Sequence, residues 1–185
     1  MVAGQLDEVG VSPSSIILEP VARGTAPAIA VAAKLVEAQH NDDVMAVFPA
    51  DHVIADNDAF KAALDQAVAV ASEGRLVAFG ITPQSAHTGY GYIRLKGELE
   101  KGVGQIEEFV EKPDAITAQA YLDHGGYFWN GGMFVFKASA MLEAFAEHAP
   151  DMLAACSAAV SDAQSDGYFL HLEKSSFESA PADSI

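Results

Sequence analysis

A single cysteine, few basic residues and no long apolar run set the first limits on this 185-residue chain. Cys156 stands alone, which excludes an internal disulfide and any zinc site built on cysteines. Within LAACSAAV it reads as a small buried residue. Lys and Arg number 10 against 26 Asp and Glu, a formal charge of −16. That balance argues against nucleic acid and anionic membrane as partners, since neither phosphates nor lipid headgroups would meet a basic patch. A small anionic substrate would need local help from a metal ion, a few placed cations or helix N-termini. No stretch approaches about eighteen uninterrupted apolar residues, and the opening MVAGQLDEVGVSPSSIILEP has neither a basic leader nor a small-residue cleavage site. The expectation is a soluble, cytoplasmic protein. None of the six histidines stands at metal-ligand spacing from another His or Cys, so a zinc centre is not expected.

What is present is enough for one sizeable core, with 50% hydrophobic residues. Residues 14–20, SSIILEP, read as a short buried strand, and Thr25 to His40 as a helix with Thr25 as N-cap and Pro27 in the first turn. A second strand, Val44 to Pro49, precedes a helix whose Phe60, Leu64, Ala67, Val68 and Ala71 recur at helical spacing, started by Asn57 or Asp58 and stopped at Gly74. Leu76 to Ile81 is a third strand. Apolar strands alternating with helices predict crossovers and a parallel, doubly covered sheet. After Ile81 the rhythm changes: GYGYIRL and VGQIEEFVEKP are strand-like runs with no helix between them, which predicts an antiparallel excursion. DAITAQAYLDHGG returns to helix, MFVFK to strand, and SAMLEAFAEHAPDMLAACSAAVSDAQ to helical runs parted at Pro150. VAGQLDEVG reads as the last turn of a helix, and nothing marks an internal domain boundary.

In an open parallel sheet, ligands bind beyond the carboxyl ends of the strands, which draws attention to EP, PADH, TPQSAHTGYG, EKP and WNGG. Asp51 follows the second strand, where a carboxylate suits a Mg²⁺ ion that keeps its waters and bridges to phosphate, or serves simply as a turn aspartate. HTGYGYIR offers backbone N–H groups around Gly89 and Gly91, or a tight β connection. Glu111 and Lys112 end a strand, and period-two alternation would point them to opposite faces, one toward sugar hydroxyls and the other toward phosphate. In WNGG, Asn130 can read a hydroxyl while Gly131 and Gly132 permit close approach. The competing reading is a turn closed by an Asx hydrogen bond.

Taken together and in order, LEPVARGTAPAIAVAA, VFPADHVIAD, FGITPQSAHTGYGYIR, VEKPD, YLDHGGYFWNGGMFVFKAS and the terminal SI resemble the nucleotidyltransferase domain of bacterial mannose-1-phosphate guanylyltransferases. The resemblance implies a Rossmann-like three-layer α/β/α sugar-nucleotide pyrophosphorylase fold with a mixed, mostly parallel sheet. It further implies the reaction of GTP with mannose 1-phosphate to give GDP-mannose and diphosphate, with Mg²⁺ as cofactor. Residue by residue, Glu19, Pro20, Arg23, Gly24 and Thr25 match the guanine-side loop. Asp51 matches the metal-binding aspartate, catalytic together with Lys112, and Gly89, Glu111, Lys112 and Asn130 match positions around the sugar phosphate. The family usually reads Gly-Arg-Asn-Thr where this chain has Ala22-Arg23-Gly24-Thr25. Its glycine-rich triphosphate loop and first strand would precede Met1, and a further aspartate would follow Ile185. Residues 1–185 are therefore expected to be a partial nucleotidyltransferase domain, inactive by itself, with a homo-oligomer left open. Two alternatives stand beside this reading: another hexose-1-phosphate nucleotidyltransferase using glucose 1-phosphate with UTP or dTTP, and a non-catalytic sugar-nucleotide-binding module.

Overall fold

The computed structural model describes residues 2–40 and 42–185. In chain order the elements are α1 (Val2–Glu8), β1 (Ile16–Leu18), α2 (Thr25–His40), β2 (Val44–Val47), α3 (Asn57–Ser72), β3 (Val77–Ile81), β4 (Tyr92–Leu95), β5 (Ile106–Val110), α4 (Ala115–His124), β6 (Tyr127–Lys137), α5 (Ala138–His148), α6 (Pro150–Ser161), β7 (Gln164–Asp166), β8 (Phe169–His171) and α7 (Lys174–Ser179). The α/β class read from the sequence holds. The chain divides into two compact units, Met1–Asp43 with Ala138–Ile185, and Val44–Lys137.

The first unit is mainly helical. Ala26, Ile29, Ala30, Val31 and Ala33 of α2 are buried, as are Met141, Leu142 and Phe145 of α5 and Met152, Cys156 and Ala159 of α6. Small residues on α2 and α6 let the helix backbones approach closely, and the larger side chains of α5 fill the remaining space. Pro150 begins α6 at its first helical position, where its missing N–H is not needed. A three-stranded sheet places β8 between β1, which it meets in parallel with Ile17 opposite Leu170, and β7, its antiparallel hairpin partner. The β7–β8 hairpin is absent from the sequence reading, because Gln-Ser-Asp has no apolar alternation to announce a strand.

The second unit is organised around β6. Trp129 lies opposite Tyr92 of β4 on one edge and Ile81 of β3 on the other, and Val135 likewise lies between Ala46 of β2 and Val77 of β3. One long strand thus serves β4 and β2 along one edge and β3 along the other, with β5 outside β4. β2 and β3 run in the same direction, as a crossover through α3 requires, yet β6 separates them. Every bonded pairing described in this five-stranded sheet is antiparallel, where parallel neighbours were expected. The expected β4–β5 excursion is present, paired antiparallel with Ile93 opposite Phe109.

Helix α3 covers this sheet with Ala67 and Ala71, which form a core with Val135 and gather Val44, Leu64, Val77 and Phe79 around it. Phe60 packs edge-on to Phe48, their ring centroids 5.5 Å apart. Val68, expected on the same face, is 37% exposed; at 3.6 residues per turn it falls at the margin of that stripe. The helix is capped one residue earlier than expected, by Asp56, whose carboxylate accepts the Ala59 N–H at 2.9 Å.

WNGG is not a turn that leads into a strand. It lies inside the eleven-residue β6. Gly132 takes a left-handed φ of +63°, and a methyl group on Gly131 would stand 3.0 Å from the Phe79 carbonyl oxygen of β3. The partner register shifts between Ala78 and Gly80 at this point. Neighbouring backbone accounts for both glycines: the first admits β3, and the second supplies the irregularity that keeps the strand paired on either side.

Candidate functional site

In the second unit three of the predicted sugar-side residues, Gly89, Glu111 and Asn130, meet at one short loop. Residues 82–91 connect β3 to β4, and Gly91 is their meeting point. The Asn130 N–H donates to the Gly91 carbonyl at 2.8 Å. A methyl group on Gly91 would lie 2.9 Å from Glu111 Oε2 and 3.0 Å from Phe109 Cζ. Glu111 and Asn130, nineteen residues apart in sequence, are thus held against the same glycine. The Asn130 carboxamide oxygen accepts the Gly132 N–H at 3.1 Å. That is the local Asx-type bond of the competing reading; among the described residues it leaves the amide NH₂ without a protein acceptor.

Glu111 and Lys112 do not point to opposite faces. β5 ends at Val110, and Lys112 adopts a left-handed φ of +44°, which breaks the period-two alternation. Lys112 Nζ instead meets Glu111 Oε1 at 2.5 Å. Both side chains are exposed, so a phosphate arriving at this ammonium would compete with a solvated carboxylate. Gly89 sits on the same loop as Gly91, and its N–H donates to His87 Nδ1 at 3.0 Å.

Asp51 belongs to the connection between β2 and α3. It lines an open hollow with His52, Val53, Ile54, Ile81, Gly131 and Met133, which places the carboxylate beside the glycine irregularity of β6. Among the described residues no group of three His, Cys, Asp or Glu could hold a metal ion. A single exposed carboxylate fits a Mg²⁺ ion whose remaining positions are water and substrate phosphate; it does not fit an all-protein cage.

In the first unit the predicted nucleotide-side residues follow β1 and lead into α2. Partial burial pushes the Glu19 carboxyl up from its ordinary range. Arg23 donates through Nη2 to the Glu178 carbonyl, while its Nε is buried without a partner among the described residues. The Arg23 carbonyl accepts the Asp183 N–H at 3.0 Å, and the Asp183 carbonyl accepts the Ala26 N–H at 3.2 Å. Thr25 opens α2, and its hydroxyl accepts the Ile185 N–H at 3.2 Å. Gly24 lies at φ +88°, with Asp183 O only 2.2 Å from where a Cβ would be. The segment 183–185 is therefore laid along the loop 23–26. Sequence reasoning missed this contact because nothing local links positions some 160 residues apart. Pro20 is exposed at the head of the loop.

Cys156 is buried, with Sγ 3.7 Å from the Pro27 carbonyl, and desolvation, followed by the nearby charge of Glu19, pushes its thiol to about 11. A thiol held protonated in this way is packing, not a nucleophile. No described helix is long and apolar enough to cross a membrane.

Residues 2–174 match the family described as nucleotidyl transferase. Along all of its length the chain is 49% identical to the xanthan biosynthesis protein XanB of Xanthomonas campestris pv. campestris, of which it covers 39%. It is 45% identical to the mannose-1-phosphate guanylyltransferase of Escherichia coli K12, again along all of this chain and 40% of the relative. Among solved structures, one described as mannose-6-phosphate isomerase from Helicobacter pylori superposes with a TM-score of 0.88 and 29% identity, over 99% of this chain and 70% of that one. The chain thus spans about two-fifths of the length of the curated relatives it matches, and with residues 2–174 inside the family's pattern, it belongs to the nucleotidyl transferase family.

Proposed function

We propose that this chain is part of a mannose-1-phosphate guanylyltransferase, which joins mannose 1-phosphate to the guanylyl group of GTP and releases diphosphate. The observation that carries the reading is the 45% identity to the Escherichia coli enzyme of that name, sustained over the whole chain. In this reading a phosphate oxygen of mannose 1-phosphate attacks the α-phosphorus of GTP in line. The new P–O bond forms as the bond to diphosphate breaks, and catalysis is chiefly positioning and charge neutralisation.

Asn130 and Glu111 read sugar hydroxyls from their shared anchor at Gly91, and Lys112 meets the sugar phosphate. Gly89 keeps the loop close to the ligand. Glu19, Pro20, Arg23, Gly24 and Thr25 form the guanine side. Asp51 holds Mg²⁺, which when bound neutralises triphosphate charge that a chain of net −16 otherwise repels.

Calorimetric titration of the 185-residue chain with GDP-mannose and with UDP-glucose, each with and without Mg²⁺, tests the reading. Preferential, Mg²⁺-strengthened binding of GDP-mannose is expected. Preference for UDP-glucose would transfer the assignment to another hexose-1-phosphate nucleotidyltransferase. Binding of GDP-mannose that ignores Mg²⁺ would favour a non-catalytic binding module.

A further inference from the structure

His87 has no role in the proposed chemistry, yet it is held more firmly than a loop residue needs to be. The hydroxyl of Tyr92, a fully buried side chain, accepts the His87 N–H at 3.0 Å and donates to the His87 carbonyl at 3.0 Å. Both backbone polar groups of His87 are thereby fixed to strand β4. Its ring stacks on Tyr90 with centroids 4.0 Å apart and planes 14° apart, and Tyr90 packs edge-on to Trp129 of β6 at 5.2 Å. With backbone and ring both fixed, Nδ1 has one place to go, and it accepts the Gly89 N–H at 3.0 Å. The fit is close: a methyl group on Gly89 would lie 2.9 Å from His87 Cε1 and 3.2 Å from Nδ1.

We infer that His87 is a positioning residue for the sugar-side loop, acting through an acceptor that reaches two residues forward to the Gly89 N–H. The inference rests on the proposed function for the identity of the ligand, but the lock itself is geometric. Asn130 does the same thing in β6, where its oxygen accepts the Gly132 N–H at 3.1 Å. Two side chains thus close the same i to i+2 bond, one on each side of the Asn130–Gly91 link. The Gly89 N–H is engaged inside the loop and is not offered to ligand as the sequence suggested, but a loop already ordered loses less entropy when ligand arrives. His87 therefore sets affinity for the sugar 1-phosphate without touching it, and Gly89 is glycine here because the imidazole needs the space.

The chemistry of the lock selects the variants. His87→Phe keeps a ring to stack on Tyr90 but has no acceptor. His87→Asn gives up the ring but restores an i to i+2 acceptor of the Asx kind. Each is made in the 185-residue chain, for hydrogen exchange at the Gly89 amide, and in a chimera that supplies the remaining length of the Escherichia coli relative, for calorimetric binding of mannose 1-phosphate and of GTP measured separately. His87→Phe is expected to speed Gly89 exchange and weaken mannose 1-phosphate binding about 5- to 10-fold, the effect of one lost hydrogen bond, with GTP unchanged. His87→Asn is expected to recover most of both losses. Unchanged Gly89 exchange in His87→Phe, or an Asn variant no better than Phe, overturns the lock. Equal weakening toward both ligands also overturns it, in favour of a general folding role. If the unsubstituted chimera binds no sugar 1-phosphate while Gly89 exchange still responds as described, the functional reading fails and the ligand half of the inference fails with it.

Discussion

The backbone N–H of Asn130 donates to the carbonyl of Gly91 at 2.8 Å, and Glu111 Oε2 lies 2.9 Å from where a Cβ on the same glycine would stand. Two side chains with hydroxyl-reading chemistry are brought to one point by the pairing of β4 with both β5 and β6. In a chimera that supplies the remaining length of the Escherichia coli relative, Asn130→Ala and Glu111→Ala should each weaken use of mannose 1-phosphate by about 1–3 kcal/mol, the loss of a neutral or a charge-assisted hydrogen bond to the sugar. The KM for GTP should change little. Parallel losses for both substrates would remove the sugar-side assignment.

Asp51 contributes one hard oxygen and a charge. Asp51→Asn keeps its shape but removes the charge, so in the same chimera turnover should collapse and the Mg²⁺ concentration for half-maximal rate should rise, while circular dichroism stays unchanged. Turnover equal to that of the unsubstituted protein at limiting Mg²⁺ would reduce Asp51 to a turn residue.

Gly24 and Gly74 offer a matched pair. Both are left-handed, at φ +88° and +84°, but a methyl group at Gly24 would meet Asp183 O at 2.2 Å whereas Gly74 has nothing within 4 Å. Gly74→Ala should cost only the conformational penalty, about 1–2 kcal/mol in urea unfolding. Gly24→Ala should cost clearly more, because segment 183–185 must also move. Equal losses would mean that this segment does not pack on the loop in solution.

Glu173 caps α7. Its carboxylate accepts the Ser176 and Ser175 N–H groups at 2.7 and 2.9 Å, and these bonds, that of Ser176 foremost, lower its pKa from 4.5 to about 2. A folded value below the unfolded one means that its stabilisation is complete above about pH 4.5 and is lost as pH falls toward 2. Hydrogen exchange at Ser176 and Phe177 should therefore be slower in the parent than in Glu173→Gln near neutrality, and the gap should close across that interval. A gap independent of pH would show that the charge is not what caps the helix.

Much of the molecule was legible from local signals. The 3.6-residue spacing of α3, the break between α5 and α6 at Pro150 and the helix-free passage through β4 and β5 are each encoded within a few residues of where they act. Local signals were therefore enough for the α/β class, and they singled out Asp51, Gly89, Glu111, Lys112 and Asn130 as candidates. Close approach between distant segments decided the rest. Gly131 lies against the Phe79 carbonyl, and that contact makes WNGG an irregularity within β6 and not a turn. The left-handed backbone of Lys112 turns an expected two-faced grip into an ion pair with Glu111. Asp183 settles on Gly24 from the far end of the chain, and β6 comes between two strands that periodicity alone would have paired. Periodicity reports which face of an element is apolar; which backbone will lie against that face depends on packing between segments with no sequence signal in common.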